Sequence, residues 1–110
     1  MAGQSSETPV LDLLKRINSA SIESSSLDEE TLMLVRIAAL VAVDAPPASY
    51  LLNIGAASEI GIDADQVQGV LAAVSPIVGT PRVVSAAGNI VRALGIATEL
   101  AELEEETERR

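Results

Sequence analysis

Few side chains in this 110-residue chain can do chemistry. It contains neither Cys nor His. That removes thiol nucleophiles, disulfides, thiolate metal sites and imidazole acid–base catalysis. The reactive or recognition-competent residues left in apolar stretches are Arg36, Ser49, Tyr50 and Asn53. A serine hydroxyl becomes a nucleophile only beside a base that takes its proton. The single lysine, Lys15, is remote from Ser49 in sequence, so the favoured reading of Ser49 is a first-turn helix residue. Asn53 does not titrate near neutral pH; it can hydrogen-bond a ligand or satisfy backbone groups at a helix interface. Tyr50 titrates ordinarily at about pH 10, so it suits hydrogen-bond donation or packing better than proton abstraction. Arg36 interrupts an apolar helix, and a guanidinium there must be paired or hydrogen-bonded. Two readings stay open for it: a small anionic ligand such as a carboxylate, or a protein carboxylate such as Asp44 or Glu59. Arg82 and Arg92 read as solvated. No carboxylates have metal-site spacing, Asp63 and Asp65 being better placed for capping and surface roles, and no cofactor is expected.

The elements that must hold these residues are helices. Nearly half the chain is apolar (48%) but Tyr50 is its one aromatic residue, so the core has to be built from small aliphatic side chains on closely packed helices. Residues 1–7 are polar and are expected to be disordered. Thr8-Pro9 opens a first helix whose apolar side is Val10, Leu13, Leu14 and Ile17, the spacing of one helical face. Residues 19–26 are Ser-rich and read as a linker on which Ile22 could dock. Ser26 with Glu29 forms a candidate capping box for the second helix, with Asp28 as the alternative N-cap. That helix runs through residues 32–43, with Arg36 its single charge there, and stops at Asp44-Ala45-Pro46-Pro47.

The two prolines start a third helix over residues 48–60, closed by Gly61. Asp63 and Gln66 can cap a fourth, reaching about Val78. Gly79-Thr80-Pro81 then stops one helix and starts the last. The last helix can run past Leu100 into the acidic segment, and residues 8–104 make one helical domain followed by an acidic tail at 105–110. A helix with one charge in twelve positions is buried on every side, and a domain this small has difficulty hiding it. It is either the central helix of the protomer or part of a subunit interface, and the interface reading is the stronger because the later helices are also rich in Ala and Val.

The formal charge of −9, with seven basic residues scattered among sixteen acidic ones, offers no cluster able to neutralise several phosphates. Nucleic acid is therefore not an expected partner, and an anionic membrane surface is disfavoured for the same reason. The apolar run at 32–43 is too short to span a bilayer. No basic segment followed by an apolar one stands at the N-terminus, so a cytoplasmic protein without a signal peptide is expected.

Over residues 27–94 the order of features resembles the carboxymuconolactone decarboxylase and alkylhydroperoxidase-D-like family. The residues that carry the resemblance are Leu27-Asp28-Glu29-Glu30-Thr31, Leu34-Val35-Arg36-Ile37-Ala38, and Ala56-Ala57 followed by Gly61-Ile62. An acidic cap with Val67 and Leu71 comes next, then Gly79-Thr80-Pro81 and Ala86. The resemblance implies an all-helical domain assembled as a trimer or as a hexamer built from trimers. Redox-active members carry C-x-x-C-x-x-x-H at the start of the helix that begins here at the two prolines. In this sequence Pro46 and Ser49 fall at the cysteine positions and Asn53 at the histidine position, while the relay glutamate falls near Met33 or Leu34. The resemblance implies the fold, and the residues contradict its thiol and imidazole chemistry. The expected function is a non-catalytic oligomeric binding or scaffolding module. The alternative is a divergent, cofactor-independent enzyme that handles a small carboxylate in a pocket of Arg36, Ser49, Tyr50 and Asn53.

Overall fold

A computed structural model describes residues 7–109, and within them every regular element is an α-helix. The order is α1 (Pro9–Ser24), α2 (Glu29–Ala42), α3 (Pro47–Glu59), α4 (Ala64–Val78) and α5 (Thr80–Arg109). The chain is all-α with five helices, as the punctuation of the sequence indicates. Most boundaries are set by local chemistry. Pro9 stands in the first turn of α1, where its missing N–H is one the helix would leave unpaired anyway. Asp28, not Ser26, caps α2: its carboxylate accepts from the Thr31 backbone N–H at 2.8 Å. Asp63 and Gln66 form a reciprocal capping box on α4, at 2.9 and 3.0 Å.

The ends of α2 and α3 share one geometry. Beyond α3, the N–H of Gly61 donates to the Ser58 carbonyl at 3.1 Å and that of Ile62 to the Ala57 carbonyl at 3.0 Å. Gly61 sits in the left-handed region at φ 91. This is the Schellman arrangement, with its apolar contact supplied by buried Ile62 and Ala57. After α2 the same pair of bonds runs from Asp44 to Val41 at 3.2 Å and from Ala45 to Leu40 at 3.0 Å. Here the left-handed residue is Asp44, φ 55, the one non-glycine residue with positive φ among those described. Aspartate enters this region at some cost and does so more readily than most side chains.

The packed body consists of α2–α5. Helix α2 contacts α3, α4 and α5, and one stripe of it, Met33, Ile37 and Val41, is buried. One core cluster joins Leu32, Met33 and Ile37 to Ala57 and Ile62. A second joins Val41, Ala45 and Tyr50 to Ala86, Ile90 and Ala93 on α5. Helix α2 is thus the central helix of the protomer, but it is not covered all round: Val35 and Val43 are exposed.

One expectation changes. Residues 19–24 are not a linker but the last turns of α1, and Ile22 is half exposed instead of docked. The last helix does run past Leu100 into the acidic segment, α5 continuing as helix to Arg109. The segment long and apolar enough to match a bilayer is α5, with a window of mean hydropathy 1.3, and not the run at 32–43. Asn89 and Arg92 stand midway along α5, and Ala86, Ile90 and Ala93 pack into the body, while most of that window is exposed, 17% of it being buried. The expected disorder of residues 1–7 falls, apart from Glu7, outside the described residues.

The hydrogen bonds that Asp28 accepts favour its charged form and hold its carboxyl below the usual aspartate range. A depressed folded-state pKa contributes stability above the ordinary range, and that contribution is lost as pH falls through the folded value. Asp28→Asn keeps an acceptor oxygen but cannot titrate. Its melting temperature should fall less than that of the wild type between pH 7 and pH 3, as followed by circular dichroism.

Candidate functional site

Two places could carry function: the corner between α2 and α3, where three of the four candidate residues stand, and an open groove further along the same body. The corner is fixed to α5 by two hydrogen bonds. Ser85 Oγ donates to Asp44 Oδ1 at 2.6 Å, and Asn89 Nδ2 donates to the Ala45 carbonyl at 3.1 Å. The left-handed turn at Asp44 is what delivers both acceptors to α5. Tyr50 enters one turn into α3 and is completely buried among Val41, Ala45, Ala86, Ile90 and Ala93. Its hydroxyl has no hydrogen-bond partner among the described residues. Burial pushes its pKa up, and the nearby Asp44 carboxylate pushes it further in the same direction. The phenol therefore stays protonated at neutral pH and cannot serve as a base.

Ser49 and Asn53 stand one turn apart on α3, both partly buried. Asn53 Nδ2 donates to the Ser49 backbone carbonyl at 2.9 Å, which directs the amide along its own helix. Among the described residues no hydrogen bond links the Ser49 hydroxyl to a base. Pro46 is the N-cap residue of α3 and is exposed.

Arg36 lies elsewhere. Its guanidinium donates through Nη1 to Asn18 Oδ1 and, at 3.0 Å, through Nη2 to Ser21 Oγ, both on α1. Neither Asp44 nor Glu59 pairs with it; the carboxylate of Asp44 accepts instead from Ser85. The structure therefore places Ser49, Tyr50 and Asn53 together on α3 and puts Arg36 at the junction of α1 with α2. The corner residues that the sequence reading passed over are Ser85 and Asn89, and Asp44, read there as a helix stop and a partner for Arg36, bonds to Ser85 instead. An Asp directly before Ala-Pro-Pro was a turn signal, whereas nothing local to Ser85 or Asn89 marks them.

The open groove, about 560 Å³, lies between the C-terminal half of α3, the N-terminal half of α4 and the middle of α5. Ile54, Ile62, Val67, Leu71, Ile90, Val91 and Leu94 line it, with Ser58, Asp63 and Gln68 as its polar side chains. None of Arg36, Ser49, Tyr50 and Asn53 is in that lining. No group of His, Cys, Asp and Glu among the described residues could hold a metal ion. In chemical terms the corner offers a neutral phenol, an amide turned on its own helix and a hydroxyl without a base, and the groove offers apolar contact.

Comparison with protein-family models, with curated proteins and with solved structures finds no match to this chain.

A buried hydroxyl without a partner destabilises a fold, so Tyr50→Phe should leave stability unchanged or raise it by about 1 kcal/mol. Because the tyrosine pKa is raised in the folded state, its contribution is present below the ordinary value near 10 and is lost as pH rises through the folded value. The Phe variant should therefore also resist alkali better in urea titrations at pH 7 and pH 11. A loss of about 2 kcal/mol or more at pH 7 would mean that the hydroxyl makes a bond the fold needs.

Proposed function

We propose that this chain is a non-catalytic protein of the carboxymuconolactone decarboxylase-like kind, acting as a homo-oligomeric binding or scaffolding module, a trimer or a hexamer made from trimers. The single observation that carries this reading is the amount of apolar surface the protomer leaves uncovered. Helix α1 buries none of its residues, and Val10, Leu13, Leu14 and Ile17, its apolar face, are about half exposed or more. Leu52 and Ile77 are exposed at 76% and 86%. The accessible surface is 7882 Å², where a folded monomer of this mass is expected at about 5,800 Å². The radius of gyration is 16.4 Å, against about 13 Å for a compact domain of this length. Exposed apolar side chains that gather on one face, as those of α1 do by their helical spacing, are a mark of a contact surface.

The order of residues 27–94 supports the family part of the proposal, and the lack of Cys and His supports its non-catalytic part. The alternative, an enzyme acting on a small carboxylate, needs an arginine free to take an anion near Ser49 and Asn53. Arg36 is instead bonded to α1, so no observation favours that alternative. An acidic chain without a basic cluster is in keeping with a protein partner, its own copies first, rather than nucleic acid or an anionic membrane.

Light scattering coupled to size exclusion should return three or six times the chain mass of 11.4 kDa at micromolar concentration. A monomer whose mass does not change with concentration would overturn the proposal.

A further inference from the structure

We infer that the groove between α3, α4 and α5 is the seat for helix α1 of a second copy of this chain. The inference rests on the self-association proposed above and specifies the contact that makes it. The groove is apolar, and two of its lining residues, Val91 and Leu94, are exposed at 67% and 50% in the protomer. Its walls run from Ala64 to Leu71 on α4 and from Ala87 to Leu94 on α5. Seven residue steps of helix measure about 10 Å. The apolar face of α1, from Val10 to Ile17, covers the same seven steps, so one unpartnered helix face matches one open groove in length.

Charge favours the same pairing. The chain as a whole is strongly acidic, at −9, yet α1 carries Lys15 and Arg16 against Asp12 and Glu23 and is neutral. It also holds two of the seven basic residues in adjacent positions. Asp63 lines the groove, and Glu59 and Asp65 are exposed beside it in sequence. A neutral helix with a basic pair can approach that acidic margin, whereas another acidic face would be repelled.

A chain does not seat its own α1 here. No residue of α1 lines the groove, and the bonds from Arg36 to Asn18 and Ser21 hold the C-terminal half of α1 against α2. Its N-terminal half, which bears Val10, Leu13 and Leu14, is left for a neighbour. A standard interface buries about 800 Å² on each partner. Giving one α1 and receiving another would commit about 1,600 Å² of the 7882 Å² that each protomer exposes. A helix given to one neighbour and a groove filled by the next make a head-to-tail contact, which closes into a ring when the rotation allows.

The chain has no cysteine, so introduced thiols report unique positions. Leu14→Cys protein and Val91→Cys protein, both at exposed sites, are mixed and treated with a short bis-maleimide. A mixture of L14C with Thr107→Cys protein serves as the control. The expected result is a two-chain product from L14C with V91C at least tenfold more abundant than from the control pair. Equal yields would overturn the inference. So would a double variant L14C/V91C that closes within one chain in preference to linking two. Light scattering on the untreated wild type separates the two levels of failure: an assembled protein with no L14C–V91C excess removes only this contact, whereas a monomeric one removes the self-association as well.

Discussion

A chain whose helices are apolar on more faces than one protomer can cover has to leave some of those faces outside. Among the described residues eleven hydrophobic side chains are buried, while eighteen large ones are exposed. With one aromatic residue and a core of Ala, Val, Leu, Ile and Met, each buried position contributes little volume, and the body closes around α2 with short side chains. The buried stripe of α2 exhausts what α3, α4 and α5 can cover. What remains outside is the outer side of α2, the apolar side of α1 and the flank of α5 around Val91, the surface on which the proposal of self-association rests. Apolar burial is worth roughly 25 cal/mol per Å², which makes an uncovered surface of this size a strong drive to associate.

The corner at Asp44 is the second organising feature. One left-handed residue ends α2 and turns the chain toward the prolines. It also presents its own carboxylate and the next carbonyl to Ser85 and Asn89. The corner is therefore set from α5, forty residues away, and Tyr50 is sealed beneath it. What the corner holds is packing and turn chemistry.

Much of this fold was legible because the start and stop signals are local. Asp63 with Gln66, Gly61, Gly79 and the prolines each act on their own helix within a few residues, and α3 and α4 end within a residue or so of where those signals place them. The Ser-rich stretch at 19–24 misled because serine favours caps and turns in isolation, while nothing in the segment stops a helix already under way. The choice between Ser26 and Asp28 as N-cap turned on a backbone dihedral that no spacing reveals. The partners of Arg36 and Asp44 were not legible at all, since they depend on contacts between helices distant in sequence. A carboxylate was the natural partner to expect for a guanidinium; the structure supplies an amide and a hydroxyl, which hold α1 in place without closing a charge pair. The groove likewise forms only when α3, α4 and α5 meet.

The central claim is that α1 is covered by another copy and not by its own chain. Amide hydrogen exchange measured across a dilution series tests it directly. The account predicts that amides of residues 13–17, on the part of α1 that enters the neighbour's groove, are protected at high protein concentration and exchange rapidly once the protein is diluted until it dissociates, while the core amides of α2 and α5 exchange slowly at both. Protection of α1 that is the same at every concentration would contradict it, and so would rapid exchange of α1 in the assembled protein.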